Sequence, residues 1–378
     1  MGNHVLIVGA GLYGSVMARE LTDAGCKCCV IERRNHIGGN CYTEHVEEAG
    51  CHRHAYGPHI FHTNSEDIWN YMNQFCSFNS YVHRGKSLCK GKLYSLPINL
   101  STFYEVYGVK TPDEARMRLE EVRVQTGDVD NLEDWCLGEI GPELYELLVK
   151  GYTIKQWRKD PRELSASIIK RLPVRLNFDD NYFRDRFQGI PIGGYTRIFE
   201  RLLEGVSVEL EVDFMSDRDG WMSRFDHIIY TGPIDAFFDY SEGLLEYRSL
   251  RFENEILDTV DYQGASIINC GDIEVPYTRT IEHKHFDLDY SKARTLVTKE
   301  YPQDWYEGRE RYYPISTSNN AETYQKYREL AVSLDLPVTF GGRLGQYKYF
   351  DMHQVVAAAL TKSRQLLARD FKSFKKEN

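Results

Sequence analysis

The chain has 378 residues, of which 42% are hydrophobic and 27% charged, and its formal net charge is −10. This length suffices for a large core and predicts two or three domains. The negative charge argues against general binding to nucleic acid or to a membrane surface. No apolar stretch approaches the ~18 residues of a membrane span and no signal peptide is recognised, so we expect a cytoplasmic protein.

The N-terminal segment carries the pattern of a dinucleotide-binding fold. Its elements are a strand over residues 5–8, the turn Gly9-Ala10-Gly11-Leu12-Tyr13-Gly14, a helix over residues 12–24, a strand over residues 28–31, and Glu32. Gly9 permits a tight turn, Gly11 lets backbone N–H groups approach a pyrophosphate, and Gly14 lets the helix pack closely on the strand. Glu32 is placed to accept hydrogen bonds from an adenosine ribose. Because these parts fall in register, they favour a nucleotide cofactor over a glycine-rich turn in some other α/β domain.

A second glycine pair follows the acid directly, in Arg33-Arg34-Asn35-His36-Ile37-Gly38-Gly39-Asn40. An NAD-dependent dehydrogenase usually continues into its next helix at this point. The extended FAD molecule instead needs a second close approach of the backbone, so the pair favours FAD over NAD. The Gly-Pro turn in Tyr56-Gly57-Pro58-His59-Ile60-Phe61-His62-Thr63 is expected near the flavin ring. A surface turn with solvated histidines is the alternative.

Cysteines and histidines in this part of the chain raise the question of a metal site. The nine cysteines are an odd number and lack the spacing of a disulfide framework. Several histidines lie between residues 52 and 62, but no Cys-x-x-Cys pair lies beside them to complete a structural zinc site. We therefore expect polar or active-site histidines there and predict no bound metal.

From residue 100 to about residue 170 the pattern changes to helices, which we interpret as a helical insertion. The predicted helices cover residues 112–124, 131–140, 142–152 and 166–171. Tyr152 and Trp157 lie near lysine residues, so they are suited to contact the nucleotide base or the sugar of a ligand. Packing in a hydrophobic core is the simpler interpretation. Arginines among aromatic residues then predict a diphosphate site, with a solvated face as the alternative. These arginines are Arg171, Arg175, Arg184 and Arg186.

The rest of the chain returns to strands and ends in a helix. Strands over residues 206–212 and 227–230 are expected to rejoin the first domain, and residues 244–312 resemble a further sheet. A strand over residues 338–340 then leads into Gly341-Gly342-Arg343, and a helix is predicted over residues 355–368 with Asp351 as its N-cap. FAD domains use such a unit to close around the isoalloxazine, with the helix N-terminus facing the N1–C2 edge.

Taken together, these motifs resemble UDP-galactopyranose mutases of the bacterial type over nearly the whole chain. The matching stretches are GAGLYG, ERRNHIGGN, YGPHIFHT, KGYTIKQW, KRLPVR, DDNYF, QGIP, GGYT, YTGPID, EYRSL, VPYTRTIEHKHF, TKEYP, YYPI and GGRLGQYKYFDMHQ. The resemblance implies an α/β fold in which a Rossmann-like FAD-binding domain is joined by a helical domain and an antiparallel β-sheet domain. The implied FAD-binding domain is discontinuous (residues 1–79, 192–236 and 313–370), the helical domain covers residues 99–170, and the sheet or substrate domain covers residues 80–98, 171–191 and 237–312.

The family's chemistry implies a role for individual residues. Its members interconvert the pyranose and furanose forms of a nucleotide-linked hexose through a covalent flavin N5–sugar adduct on reduced FAD. The catalytic residues implied are Arg171, Arg279 and His59. The substrate-binding residues implied are Tyr152, Trp157, Arg171, Tyr182, Arg279, Tyr313, Tyr349 and His83. The cofactor-binding residues implied are Gly9, Gly11, Leu12, Gly14, Glu32, Arg33, Gly39, Asn40, His59, Ile60, Gly342, Arg343, Tyr349, Asp351 and Met352.

The resemblance also implies a homodimer, a UDP-galactose-like substrate and a role in cell wall or polysaccharide biosynthesis. Two positions depart from the family pattern. Arg158 stands where the family commonly has glycine, so the hinge of the expected mobile loop, residues 157–175, is expected to differ. His83 stands where asparagine is common near the sugar, which leaves UDP-N-acetylgalactosamine and dTDP-fucose open as hexose substrates. An FAD-dependent oxidoreductase resembling amine oxidases and a non-catalytic nucleotide-binding protein are the remaining alternatives.

Overall fold

The structure is a computed structural model that describes residues 3–125, 127, 129, 131–170, 173–333 and 336–368. Its strands are β1 (His4–Val8), β2 (Lys27–Glu32), β3 (Thr43–Val46), β4 (Cys51–His54), β5 (Phe61–Thr63), β6 (Gly85–Cys89), β7 (Lys92–Leu96), β8 (Phe187–Gly189), β9 (Ser207–Leu210), β10 (His227–Tyr230), β11 (Tyr247–Leu257), β12 (Ile267–Cys270), β13 (Arg279–Glu282), β14 (Thr295–Asp304), β15 (Tyr313–Pro314) and β16 (Val338–Phe340). Its α-helices are α1 (Leu12–Asp23), α2 (Glu66–Asn73), α3 (Leu100–Tyr107), α4 (Pro112–Val122), α5 (Leu132–Tyr145), α6 (Gly151–Trp157), α7 (Thr196–Leu202), α8 (Arg218–Arg224), α9 (Ile234–Phe237), α10 (Lys284–Asp287), α11 (Ser318–Ser333), α12 (Gly342–Gly345) and α13 (Met352–Ala368). Within the described residues, no helix combines the length and the apolar character needed to cross a membrane.

Five strands form a parallel sheet in the order β16-β10-β1-β2-β9. β1 lies at its centre, where Leu6 and Ile7 are fully buried on opposite faces and join two different hydrophobic cores. On the Ile7 side, α1 and α13 pack together and share a core that contains Val16 and Val356. The strand–helix–strand unit at the N-terminus therefore forms as predicted, and the Rossmann-like α/β fold class is confirmed.

Seven strands form a second sheet in the order β15-β11-β14-β13-β12-β6-β7. Neighbouring strands are antiparallel except for β6 and β12, which pair in parallel. The prediction of an antiparallel sheet is wrong for this pair, because the two strands lie far apart in sequence and no hairpin sets opposite directions. β15 also pairs with β11, although it begins the segment that was predicted to belong to the FAD-binding domain.

The helical segment packs on one end of the second sheet. Its core contains Phe103 and Leu144 from the helices together with Leu96 from β7. The break predicted between the helices over residues 131–140 and 142–152 lies at Gly141 (φ 77°, ψ 168°), within the range of α5, and the second helix continues through a π-helical turn into α6. The helix predicted over residues 166–171 is a single 3₁₀ turn, Ala166–Ile168, and Arg171 lies outside the described residues.

Candidate active site

The two glycine turns predicted to hold the cofactor lie against each other. Gly38 N donates a hydrogen bond to Ala10 O at 2.9 Å, and a Cβ placed on Gly39 would lie 3.0 Å from Gly11 Cα. Glu32 is 7% exposed and accepts a hydrogen bond from Ala10 N at 3.0 Å. Both turns thus present bare backbone at the N-terminus of α1, where unpaired N–H groups favour a phosphate. We call this arrangement of residues 9–14, Glu32 and residues 38–40 the cradle.

Two adjacent arginines at the cradle take different positions. Arg33 was predicted to bind the cofactor, but its side chain is 56% exposed and its Nη2 lies 2.5 Å from Glu310 Oε2. Arg34 is more buried, and its Nη2 contacts the same Glu310 oxygen at 2.6 Å and donates to Asn40 Oδ1 at 2.9 Å. Arg34 N also donates to Glu32 Oε1 at 3.0 Å. Arg34 therefore links both parts of the cradle, and the sequence offered no signal to separate it from its neighbour.

Gly14 brings α1 so close to the preceding turn that a side chain does not fit. A Cβ at Gly14 would lie 2.0 Å from Gly9 O and 3.0 Å from Ile7 Cγ2. We expect Gly14→Ala to cost about 1–3 kcal/mol of unfolding free energy and to reduce the flavin content, because α1 must move off the turn. Urea unfolding and the flavin absorbance of the purified protein measure the two effects. Gly127→Ala is the control, since a Cβ there meets no described atom within 4 Å; equal behaviour of the two variants would contradict the packing role.

A cavity of about 480 Å³ lies between the two sheets and the helical segment. Its wall adjoins the cradle, since Met352 Sδ lies 3.7 Å from Cys41 Sγ. The predicted site residues that line the cavity are His59, Ile60, His83, Tyr152, Trp157, Tyr182, Arg279, Tyr313, Arg343, Tyr349, Asp351 and Met352. Gly342 lies behind this wall with a φ of 73°, where a Cβ would lie 3.3 Å from Tyr13 Cβ. The structure therefore brings the predicted substrate and flavin residues together, apart from Arg171, which the described residues do not include.

Arg279, whose side chain is partly buried, supplies a positive charge in this wall. It lies opposite Glu300 across the β13–β14 pair, and its Nη2 donates to Glu300 Oε2 at 2.7 Å. Burial lowers the pKa of Arg279, but the Glu300 carboxylate outweighs burial and raises that pKa above its ordinary value. The buried Nε of Arg279 has no hydrogen-bond partner among the described residues. The guanidinium is thus permanently charged and anchored by one edge, and it keeps a donor for an anionic ligand.

Tyrosine side chains lie beside Arg279 and beside a second arginine, Arg343. The rings of Tyr313 and Tyr349 stack at 5.4 Å, and the Arg343 guanidinium lies 5.6 Å and 5.3 Å from their centroids. Burial raises the pKa of both Tyr152 and Tyr313 above the ordinary value, so these hydroxyls stay neutral. Neutral hydroxyl donors beside a fixed cation can bind phosphate oxygens without adding further positive charge.

Two histidines of the cavity are neutral near pH 7. Burial, and then Arg343, lowers the pKa of His59 to about 4, and its Nδ1 donates to Gly57 O at 2.9 Å. Burial, and then Arg279, lowers the pKa of His83 to about 3. Its Nδ1 lies 3.0 Å from the hydroxyl of Tyr81. Both rings can therefore exchange hydrogen bonds with a ligand while carrying no charge.

One further pair of contacting residues in this region was not predicted. His62 and Asp185 both line the cavity, with 2.5 Å between Nδ1 and Oδ2. Histidines near the Gly-Pro turn were expected at the site, but nothing in the sequence linked Asp185 to them.

Lys155 fixes α6 against the second sheet. Its side chain is 9% exposed, and its Nζ donates to the carbonyl oxygens of Cys270, Asp272 and Tyr277 at 2.7–2.9 Å. This contact holds the helix that carries Tyr152 against the segment that leads into β13. A lysine in a short helix usually indicates a solvated position, so sequence reasoning missed it.

Arg158 ends α6 in a left-handed conformation with a φ of 49°. Its Nη1 lies 3.2 Å from Asp304 Oδ2, but both side chains are more than half exposed, so this ion pair adds little stability. We expect Arg158→Gly to raise the unfolding free energy by about 0.5–1 kcal/mol, because relief of the left-handed strain exceeds the entropy that glycine adds to the unfolded chain. Urea unfolding measures the change. Arg162→Gly, at a position without positive φ, is the control; a loss of stability in Arg158→Gly as large as in that control would contradict the argument.

Comparison with known proteins identifies the family. A sequence profile of UDP-galactopyranose mutases matches residues 147–349, which is more than half of the chain. The chain belongs to the UDP-galactopyranose mutase family. A profile of NAD(P)-binding Rossmann-like domains matches residues 7–75, which contain the cradle. The resemblance inferred from the sequence motifs is thereby confirmed, and with it the assignment to a family of isomerases.

Individual members of the UDP-galactopyranose mutase family cover nearly the whole chain. The chain is 43% identical to the probable UDP-galactopyranose mutase of Klebsiella pneumoniae, over 97% of this chain and 95% of that protein. It is 40% identical to the dTDP-fucopyranose mutase of Escherichia coli, over 95% of this chain and 97% of that protein. A crystal structure of a reduced UDP-galactopyranose mutase superposes with a TM-score of 0.76 at 15% identity, covering 97% of this chain and 94% of the other. This structural likeness supports the fold, and the two sequence relatives are named for different nucleotide hexoses.

Proposed function

We propose that this enzyme interconverts UDP-galactopyranose and UDP-galactofuranose, with reduced FAD as its cofactor. The observation that carries the proposal is the cavity beside the cradle, where a partly buried arginine, tyrosine hydroxyls and neutral histidines converge. A fixed cation among hydroxyl donors suits a nucleotide diphosphate, and uncharged polar groups suit a hexose. Membership of the mutase family supports the reaction class.

FAD fits the residues of the cradle and of the adjoining wall. The two glycine turns touch without side chains, so a pyrophosphate can approach the N-terminus of α1 closely, and Glu32 lies beside the first turn for the ribose. The residues proposed to hold FAD are Gly9, Gly11, Leu12, Gly14, Glu32, Arg33, Gly39, Asn40, His59, Ile60, Gly342, Arg343, Tyr349, Asp351 and Met352. Bound FAD in its reduced form supplies an electron-rich nucleophile for the anomeric carbon of the sugar.

Arg279 and the surrounding tyrosines are proposed to grip the diphosphate while the anomeric C–O bond breaks. Negative charge on the departing nucleotide grows during this step, so Arg279 stabilises the transition state more than the bound substrate. The proposed phosphate donors beside it are Tyr152, Tyr182, Tyr313 and Tyr349. Arg171 is proposed as the second diphosphate arginine.

The uncharged groups of the cavity are proposed to position the hexose. His59 and His83 are neutral because burial depresses their pKa values, so they orient hydroxyls without competing with Arg279 for the phosphates. Trp157 is 8% exposed, and its ring lies 6.5 Å from that of Tyr313. Its apolar surface is proposed to lie beside the uridine and sugar and to exclude water from the reacting carbon.

Turnover under defined redox conditions tests the proposal. Purified protein is incubated with UDP-galactofuranose, with and without dithionite, and the products are separated by chromatography. We expect UDP-galactopyranose to form only with the reduced enzyme. Equal turnover by oxidised and reduced enzyme, or net consumption of an electron acceptor as in an amine oxidase, would contradict it.

A second candidate substrate is a dTDP-linked or N-acetylated hexose. It is favoured by the 40% identity to a dTDP-fucopyranose mutase. It is also favoured by His83, which lines the cavity and stands where the family commonly has an asparagine near the sugar. Turnover of UDP-galactose, UDP-N-acetylgalactosamine and dTDP-fucose in their furanose forms decides between them. The fastest kcat/KM identifies the substrate, and the same panel with His83→Asn measures how far this residue sets the preference.

The assembly and setting of the enzyme are also proposals. We propose a cytoplasmic homodimer that supplies activated furanose for cell wall or polysaccharide biosynthesis. Exposed apolar side chains on the helical segment, Tyr104 at 54% and Met117 at 62%, support an interface there. Light scattering during gel filtration tests the dimer, and a monomeric mass at micromolar concentration would contradict it. We also propose that the chain has the three domains implied by the family resemblance, and that its helical domain carries this interface.

A further inference from the structure

His62, Asp351 and His353 bring three potential metal ligands together at one side of the cavity. One ligand atom of each residue lies within 4.8 Å of the other two, and the two imidazole rings are 5.0 Å apart. His62 lies in β5, whereas the other two lie at the start of α13, so the fold rather than local spacing creates this cluster. We propose that the cluster binds a divalent transition-metal cation, with Zn²⁺ as the best match.

His62 has the carboxylate partner that metal-binding histidines usually have. Asn64 Nδ2 donates to Asp185 Oδ1 at 2.5 Å, and Asp185 Oδ2 lies 2.5 Å from His62 Nδ1. The ring of Phe183 stacks on His62 at 3.7 Å and 12°. The carboxylate selects the tautomer that carries its proton on Nδ1, so the lone pair is on Nε2. A carboxylate bonded to the remote nitrogen is what usually orients a histidine ligand in a metal site.

A buried nitrogen of His353 indicates independently that the cluster binds a ligand. Its Nδ1 is buried and has no hydrogen-bond partner among the described residues. A buried polar atom without a partner is costly, so native proteins rarely leave one unless water, an ion or a ligand completes it. A cation shared with His62 and Asp351 would satisfy this nitrogen.

The ligand types indicate the class of cation. Two imidazole nitrogens and one carboxylate suit Zn²⁺ and similar transition metals, whereas Mg²⁺ and Ca²⁺ prefer oxygen ligands alone. Zn–N and Zn–O distances of about 2.0–2.2 Å place tetrahedral ligands about 3.4 Å apart, so side-chain shifts of about 1 Å close the cluster. All three residues line the cavity, which leaves a fourth position open to it. The prediction of no metal considered only the spacing of cysteines and histidines near residues 51–62, which does not include His353.

Calorimetric titration of the flavin-loaded enzyme with ZnCl₂, after treatment with a chelator and desalting, tests the proposal without relying on turnover. We expect one site per chain that His353→Gln weakens at least 10-fold and that Asp185→Asn, which removes only the orienting carboxylate, weakens about 10- to 100-fold. His45→Gln, at an exposed histidine in β3, is the control and should leave the isotherm unchanged. An isotherm that is the same in the wild type and in His353→Gln would overturn the proposal, because any Zn²⁺ bound would then be held elsewhere, for instance by thiols.

A second measurement remains decisive if His353→Gln fails to fold. Crystals of the wild-type enzyme soaked in ZnCl₂ are measured on both sides of the zinc absorption edge. An anomalous peak within bonding distance of His62, Asp351 and His353 supports the site. Zinc peaks that are absent from this position would overturn it.

Discussion

Arg279→Ala is expected to lower kcat/KM at least about 100-fold, which corresponds to about 3 kcal/mol of transition-state stabilisation. The Arg279 side chain is only 18% exposed, the guanidinium is permanently charged and joined to Glu300, and its buried Nε has no hydrogen-bond partner among the described residues. Its loss removes a charge-assisted contact from a site that excludes water, where such contacts are strongest. Initial rates with the reduced enzyme and UDP-galactofuranose, normalised to flavin content, give the value.

Two further variants separate this catalytic effect from damage to the fold. Arg279→Ala leaves the carboxylate of Glu300 buried without its partner, so unfolding free energies are measured alongside the rates. Arg279→Lys keeps the charge but loses the planar fork, and we expect an intermediate rate. Arg251→Ala removes a 44% exposed arginine of the same sheet and is expected to be nearly silent. Near-normal turnover of folded Arg279→Ala would show that the diphosphate lies elsewhere.

The features that sequence predicted correctly are those that depend on neighbouring residues. The turn after β1 needs Gly9 and Gly14 at fixed spacing, because Gly9 has a φ of 104° and a Cβ at Gly14 would lie 2.0 Å from Gly9 O. Such steric requirements restrict the residue type at these positions and can therefore be recognised in the sequence. The order of apolar strand, helix α1 and apolar strand can be recognised in the same way. Family motifs added residues such as Arg279 and Tyr313, which lie in different strands but share one cavity.

The features that sequence did not predict depend on contacts between distant segments. The parallel pairing of β6 with β12 has no local signal, since either direction suits the same alternating pattern. Lys155 is buried only because three carbonyl oxygens of a remote segment accept hydrogen bonds from its ammonium group. The pairing of His62 with Asp185 likewise joins residues that no motif connects. In each case the partner, rather than the residue itself, determines the role.

The enzyme is expected to lose several kcal/mol of stability between pH 7.5 and pH 5. Burial lowers the pKa of four histidines to about 3 or 4, while the ordinary value is 6.5. These histidines are His59, His83, His227 and His283. Each contributes stability that is fully present above pH about 6.5 and is lost as the pH falls toward its folded-state pKa, because the unfolded chain binds the proton first. At pH 5 the loss is about 2 kcal/mol for each group, and His285, whose raised pKa acts in the opposite direction, offsets only part of it.

Urea unfolding at pH 7.5, 6.5, 5.8 and 5.0 measures this dependence in a range where ordinary carboxylates remain charged. His83→Asn removes one buried titrating ring from the cavity, so the difference in unfolding free energy between pH 7.5 and pH 5.0 should shrink by about 2 kcal/mol. His45→Asn removes a ring whose side chain is 46% exposed and should leave that difference unchanged. A wild-type unfolding free energy that stays constant over this range would mean that the buried histidines are protonated in the folded enzyme. They would then add positive charge to the cavity, and Arg279 would not be the group that determines where the diphosphate binds.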